Sequence, residues 1–249
     1  MNELKIVALI PARMGSSRFP GKPMAQINGK PMIGHVYEAV RKSPLLMDVV
    51  VATCDEAIYN YITSISGKAI YTSDKHERAS DRCAEALLKL EAERSVKYDI
   101  VVMVQGDEPM THPDMIAESI TPFFDDESVQ VTNLMSVINS VEEFKDRNCI
   151  KVVCDLNLNA IFFSREPIPT QFKEENVPMF KQVCVIPFRR DFLIKYTELK
   201  PTPLEIAESV DMLRVLENGY KVRMAMTKFQ TYAVDTPEDL TRVEKLMSK

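Results

Sequence analysis

The chain has 249 residues, 45% of them hydrophobic, which is enough to bury a core as one domain or as a core domain with a subdomain. Its 31 basic and 36 acidic residues are well mixed and leave a net charge of −5, which argues against bulk, sequence-independent nucleic-acid binding but not against a local cationic pocket. No stretch approaches the apolar length of a membrane span, and the first residues lack a basic segment followed by a long apolar one, so a cytoplasmic protein without membrane insertion is expected. The five cysteines form no C-x-x-C pair, and the three histidines, at positions 35, 76 and 112, share no metal-ligand spacing. Packed thiols in a reducing compartment are therefore expected, and a structural zinc site is not.

In chain order, Lys5 to Ile10 reads as a first buried strand, and Met32 to Arg41 as a helix after a cationic loop. Asp48 to Thr53 is a strand, Glu56 to Ser64 a helix, Lys68 to Thr72 a short strand, and Ser80 to Glu93 an amphipathic helix. Asp99 to Val104 is another strand, ending on Gln105-Gly106-Asp107-Glu108-Pro109. This βαβα rhythm predicts an α/β fold with a doubly wound, mostly parallel sheet, whose ligands bind beyond the C-terminal ends of its strands. The second half changes character: Val129 to Val137, Ile150 to Asp155 and Asn159 to Phe163 read as extended. A loop or subdomain boundary is expected at Glu166 to Val177, then a strand at Lys181 to Phe188 and a helix at Asp191 to Thr197. A longer helix at Leu204 to Asn218, a strand at Val222 to Met226 and a final helix at Leu240 to Met247, entered through Thr236-Pro237-Glu238-Asp239, close the chain.

Three stretches carry chemistry. The loop after the first strand holds Pro11, Arg13, Gly15, Ser16, Ser17, Arg18, Gly21 and Lys22. Arginine forks, a lysine charge and free backbone N–H groups suit a polyphosphate, although an ordinary crossover loop is the plain alternative. It is not a P-loop, because Pro23 follows Lys22 where serine or threonine would be needed. Asp107, just past a buried strand, is placed to hold Mg²⁺ or simply to make a turn. Asp235 is either the N-cap of the last helix or the second half of a metal clamp acting with Asp107.

These stretches also carry a resemblance. "IPARMGSSRFPGKPMAQINGKPMI", "VVATCDE", "MVQGDEPM", "FFSREPIP", "PTPLE" and "VDTPEDL" occur in the order and approximate spacing of the bacterial CMP-Kdo synthetases, the 3-deoxy-manno-octulosonate (Kdo) cytidylyltransferases. The resemblance covers nearly the whole chain. It implies a single Rossmann-like nucleotidyltransferase domain over residues 1–249, a smaller subdomain inserted at approximately 130–200 for sugar binding and dimerisation, and a homodimer. The implied reaction is CTP plus a sugar acid giving the CMP-sugar acid and pyrophosphate, with Mg²⁺ as cofactor.

By the same resemblance, Arg13, Lys22 and Arg18, with the loop backbone through Gly15, Ser16 and Ser17, would hold the CTP phosphates. Pro11 and Ala12, with Ser80 to Arg82, would surround the cytosine and ribose. Gln105 would serve both nucleotide and sugar, and Asp107 and Asp235 would hold Mg²⁺. Arg13, Lys22 and the two acids would thus be the catalytic set, with Arg165 and Glu205 near the sugar-acid subsite.

The departures bear on the acceptor. The family's H-Q-S-G-T-E-R is here His76-Glu77-Arg78-Ala79-Ser80-Asp81-Arg82. Loss of the glycine would remove a close backbone approach or merely shift the loop. A family histidine, tyrosine and glutamine are replaced by Gln182, Ile186 and Met212. A site stripped of polar contacts suits an acceptor with fewer or different hydroxyls, such as 8-amino-Kdo, another ulosonic acid or a phosphonate; neutral drift around Kdo itself is the alternative. Uridylyl or guanylyl transfer, or a non-catalytic nucleotide-binding paralogue, are the further rivals.

Overall fold

Every side chain of β1 (Ile6–Ala12) is buried, as a continuous apolar run demands when a strand is covered on both faces. A computed structural model describes residues 4–15, 18–174 and 177–248 and divides the chain into two compact units. The first comprises Met1–Ala117 with Gln230–Lys249. In it, β2 (Gln26–Ile27) and β3 (Lys30–Pro31) form a small hairpin, while β4 (Asp48–Thr53), β5 (Lys68–Tyr71) and β6 (Ile100–Val104) join β1. These four strands run parallel in the order β6-β1-β4-β5. The crossovers are α1 (Met32–Arg41), α2 (Glu56–Ser64) and α3 (Ala79–Arg94), each packing apolar residues such as Val36, Ile58 and Leu87 out of water. Full burial of one such side chain contributes about 1.5–3 kcal/mol, so this stack is a large part of what holds the sheet together. Cys83, fully buried in α3, has its thiol pushed well up by that burial, as a packed rather than reactive cysteine should.

The second unit is Glu118–Phe229, and the expected subdomain at approximately 130–200 falls inside it. The chain enters it through α4 (Asp114–Ile120) and α5 (Pro122–Asp125). Its sheet is mostly antiparallel and contains β7 (Thr132–Val137), β8 (Lys151–Cys154), β9 (Ala160–Ser164), β10 (Phe180–Val183) and β12 (Arg223–Met226). The order is β12-β7-β10-β8-β9, with only β12 and β7 parallel. Three short helices that hydrophobic periodicity did not reveal are α4, α5 and α6 (Val141–Lys145), the last capped by the Ser140 side chain accepting from the Glu143 amide.

Two expected elements are each broken in two. The strand expected at Lys181 to Phe188 is β10 followed by β11 (Val185–Arg189), interrupted at Cys184. Apolar continuity hides this break, because β10 pairs with β7 and β8 whereas Phe188 of β11 bridges Val131. The helix expected at Leu204 to Asn218 is α8 (Pro203–Glu208) and α9 (Met212–Glu217), after α7 (Arg190–Glu198). Ser209 sits between them with φ 52 and ψ 51, a left-handed conformation that ends an α-helix.

The last helix, α10 (Pro237–Met247), returns to the first unit. Val243 and Val234 pack there with Ile27 and Met32, flanked by Phe19, Tyr232 and Leu240. Among the described residues, no helix is long and apolar enough to cross a membrane.

Candidate active site

The loop that leaves β1 is closed on itself by Gly21, whose N–H donates to the Met14 carbonyl at 2.9 Å. Gly21 has φ 75, a conformation glycine adopts without the Cβ clash other residues meet. It opens a single 3-10 turn over Lys22–Met24, with Pro23 pre-set for that turn. Arg13 and Lys22 therefore flank one closed loop. Arg13 and Gly15 are exposed, Pro11 and Ala12 are buried in β1, and Ser16 and Ser17 lie outside the described residues. At the other end of the loop base, the Met14 N–H donates to Asp55 Oδ2 at 2.8 Å.

Asp107 reaches this loop because Gly106 lets two strand ends approach. A Cβ at Gly106 would meet Ile33 Cδ1 at 3.1 Å and the Pro11 carbonyl at 3.2 Å. Asp235 arrives through the backbone, since the Val234 N–H donates to the Asp107 carbonyl at 2.9 Å. The cap of α10 is Thr236, not Asp235: the Thr236 hydroxyl accepts from the Asp239 amide at 3.2 Å, and Asp239 Oδ2 accepts from the Thr236 amide at 2.9 Å. With capping done one residue later, the Asp235 carboxylate is available to the loop cations.

Lys22 Nζ donates to Asp107 Oδ2 at 2.8 Å and to Asp235 Oδ1 at 3.1 Å, and Arg18 Nη2 lies 3.0 Å from the same Asp235 oxygen. Burial lowers the Lys22 pKa, but the charge and hydrogen bonds of Asp107 and then Asp235 outweigh it and raise the value above the ordinary one. The lysine is thus held firmly cationic between two acids. Two carboxylates near enough to share one ammonium, both hard oxygen donors, fit a Mg²⁺ ion that takes its other ligands from phosphate and water. Among the described residues, no group of three or more His, Cys, Asp or Glu side chains could hold a metal ion.

The segment after β5 lies beside the loop. Arg13 Nη1 donates to the His76 carbonyl at 3.4 Å, and Arg82 Nη2 to the same carbonyl at 3.3 Å. Arg82 is only 2% exposed, and its Nη1 donates to Thr72 Oγ1 at 2.6 Å, so its guanidinium ties the segment down from within. Ser80 is fully buried, and its Oγ has no hydrogen-bond partner among the described residues. Arg78 has φ −104 and ψ 147, an ordinary extended conformation, and Ala79 opens α3, so the missing family glycine leaves no strained backbone behind. Glu85 anchors the segment by accepting from the Ser73 amide at 2.9 Å and pairing with His76 Nε2 at 2.5 Å. Burial pushes its pKa up, but bonds from Lys89, the Ser73 amide and His76 outweigh it and hold the carboxyl at about 2. Neither Asp55, although it lies in the quoted VVATCDE stretch, nor Glu85 was among the candidate site residues read from the sequence. Gln105 directly follows β6 and is half-buried.

Apart from Gln105, the residues expected near the acceptor lie in the second unit and are mostly engaged with their own neighbours. Arg165 donates from Nε to the Glu208 carbonyl at 2.5 Å, from Nη1 to the Arg147 carbonyl at 2.8 Å and from Nη2 to the Ser209 carbonyl at 3.2 Å. Glu205, 3% exposed, forms a two-bond pair with Arg214, Nε to Oε2 and Nη2 to Oε1, both at 2.8 Å. Gln182 Nε2 donates to Asn133 Oδ1 at 2.5 Å. Ile186 and Met212 are buried and offer no polar atom.

The cytidylyltransferase family model matches residues 7–226 of the chain. A 3-deoxy-manno-octulosonate cytidylyltransferase of Geobacter metallireducens is 42% identical over 99% of this chain and 99% of that protein. One of the same description from Geotalea daltonii is 42% identical over 96% of this chain and 97% of its own length. The solved structure of a CMP:2-keto-3-deoxy-manno-octonic acid synthetase complexed with CTP superposes with a TM-score of 0.89 at 38% identity, covering 98% of each chain.

Proposed function

Because the chain belongs to the cytidylyltransferase family, within its 3-deoxy-manno-octulosonate group, and is a nucleotidyltransferase, we propose that it transfers CMP from CTP to Kdo or a Kdo-like 3-deoxy sugar acid and releases pyrophosphate. The observation that carries this reading is Lys22 Nζ shared between Asp107 and Asp235 at the base of the cationic loop. Nucleotidyl transfer needs positioning and neutralisation of charge, not a covalent nucleophile. Asp107 and Asp235 would hold Mg²⁺, which supplies, when bound, polarisation of the phosphoryl oxygens. Lys22 and Arg13 would offset the charge that builds on the α-phosphate and the departing pyrophosphate, while Arg18 and the loop backbone orient the triphosphate. The acceptor's anomeric hydroxyl would attack the α-phosphorus in line with the leaving group.

Gln182, Ile186 and Met212 favour a second acceptor reading. The one amide among them already has Asn133 as a partner, and the other two bury hydrocarbon. A less hydroxylated acid suits such a set better than Kdo, and 8-amino-Kdo, another ulosonic acid or a phosphonate are the alternatives to test beside it. In either case the product would feed lipopolysaccharide or other surface-glycan synthesis, made in the cytoplasm by a homodimer. The test is pyrophosphate release with CTP, Mg²⁺ and a panel of Kdo, 8-amino-Kdo, other ulosonic acids and phosphonates. Turnover of one of these acids with CTP is expected. Turnover with UTP or GTP but not CTP would remove the cytidylyl assignment. Tight CTP binding without turnover of any acid would leave a nucleotide-binding module instead, and Kdo used as fast as every alternative would remove the case for a changed acceptor.

A further inference from the structure

Asp55 occupies the N-cap position of α2, with φ −108 and ψ 125, yet its side chain makes no capping hydrogen bond. An aspartate there ordinarily accepts from an amide in the first helical turn. Its Oδ2 instead accepts the N–H of Met14, 41 residues earlier, at 2.8 Å. The Asp55 amide is in turn fixed by Thr53 Oγ1 at 3.1 Å, and Thr53 is fully buried at the end of β4. The peptide groups of Met14 are held on both sides, the N–H by Asp55 and the carbonyl by the Gly21 N–H at 2.9 Å. Arg13 and Lys22 are the residues immediately outside this doubly held base.

We infer that Asp55 is a positioning residue that clamps the base of the phosphate-binding loop at Met14 and thereby sets the spacing of Arg13 and Lys22. A carboxylate so near a triphosphate loop repels the ligand, so its value lies in ordering the backbone and not in touching substrate. A local rule is broken, the vacated helix cap, and the compensating bond goes to the site, which is where such exceptions belong in a folded enzyme. The inference rests on the nucleotide-binding reading of the loop.

The test compares the full-length wild type with Asp55→Ala and Asp55→Asn by CTP calorimetry with Mg²⁺, by KM for CTP and kcat, and by amide hydrogen exchange. Asp55→Ala is expected to weaken CTP binding and raise its KM at least tenfold, and to lower kcat as well, because the two cations it positions act on charge that builds in the transition state. Exchange should accelerate at Met14 and Gly21 but not along Glu56–Ser64, because no cap of α2 is being removed. Asp55→Asn, whose amide oxygen accepts the same N–H, should restore most of the affinity. Unchanged affinity and unchanged exchange at Met14 in Asp55→Ala would overturn the inference. So would an equal loss of protection along α2 with no rescue by asparagine, since that describes a merely structural residue. If the wild type itself binds no CTP, the nucleotide reading fails, and exchange at Met14 still decides the clamp: faster in Asp55→Ala supports it, unchanged overturns it.

Discussion

Lys22 shows how a single ammonium can organise a site, because it offsets the repulsion between Asp107 and Asp235 that would otherwise part them. Each acid has lost part of its water and gained a charged partner, so neutralising one acid changes electrostatics more than shape. Asp107→Asn and Asp235→Asn are each expected to lower Mg²⁺-dependent CTP turnover by on the order of a hundredfold or more, the scale of removing one charge-stabilising group. Circular dichroism spectra should stay native, since the amide keeps the hydrogen-bonding shape. Wild-type turnover in either variant would mean that the acid holds no metal. The cations and acids of this cluster were visible in the sequence as residue types at strand ends. Their convergence was not, because the partners of Lys22 lie 85 and 213 residues away.

At the scale of elements, short-range chemistry decides where helices begin, and long-range pairs decide where they stop. Thr236 with Asp239 forms a capping box that starts α10, and at the start of α8 Glu205 Oε2 accepts from the Thr202 amide at 3.2 Å. A helix starting near Leu204 was legible, but the end of α8 was not, since nothing in the apolar pattern marks Ser209. Glu205 reaches over that break to Arg214 in α9, whose guanidinium also donates to the Leu199 carbonyl at 3.0 Å and lies over the Tyr196 ring at 4.9 Å. Removing one charge of such a buried pair leaves the other uncompensated. Glu205→Gln is therefore expected to cost about 3 kcal/mol of unfolding free energy, read from urea titrations with an unchanged m-value. A loss below about 1 kcal/mol would show that the pair is dispensable to stability and would return Glu205 to a purely ligand-facing role.

The whole molecule meets acid through its paired carboxylates, and Glu85 gives the clearest case. Its carboxyl is held at about 2, against an ordinary value of 4.5 in the unfolded chain. The folded state therefore binds fewer protons than the unfolded one between those values, and the stability that Glu85 contributes is complete above pH 4.5 and is lost as pH falls toward 2. Urea-unfolding curves should show stability declining through that window. Glu85→Gln should be less stable at neutral pH and decline less steeply in acid, and an identical acid slope in both proteins would contradict the assignment. What the sequence determined by itself was local: the apolar runs that become buried strands, the glycine and cations of the first loop, and the capping signature before the last helix. These follow from residue chemistry over a few neighbours. What only the tertiary structure decided was the choice of partner: Lys22 for Asp107 and Asp235, Arg82 turned inward to Thr72, Arg214 for Glu205, and Asp55 given to Met14 instead of its own helix. A charged or hydrogen-bonding group has several suitable partners along a chain, and only the packing that brings distant segments within 3 Å or so selects among them.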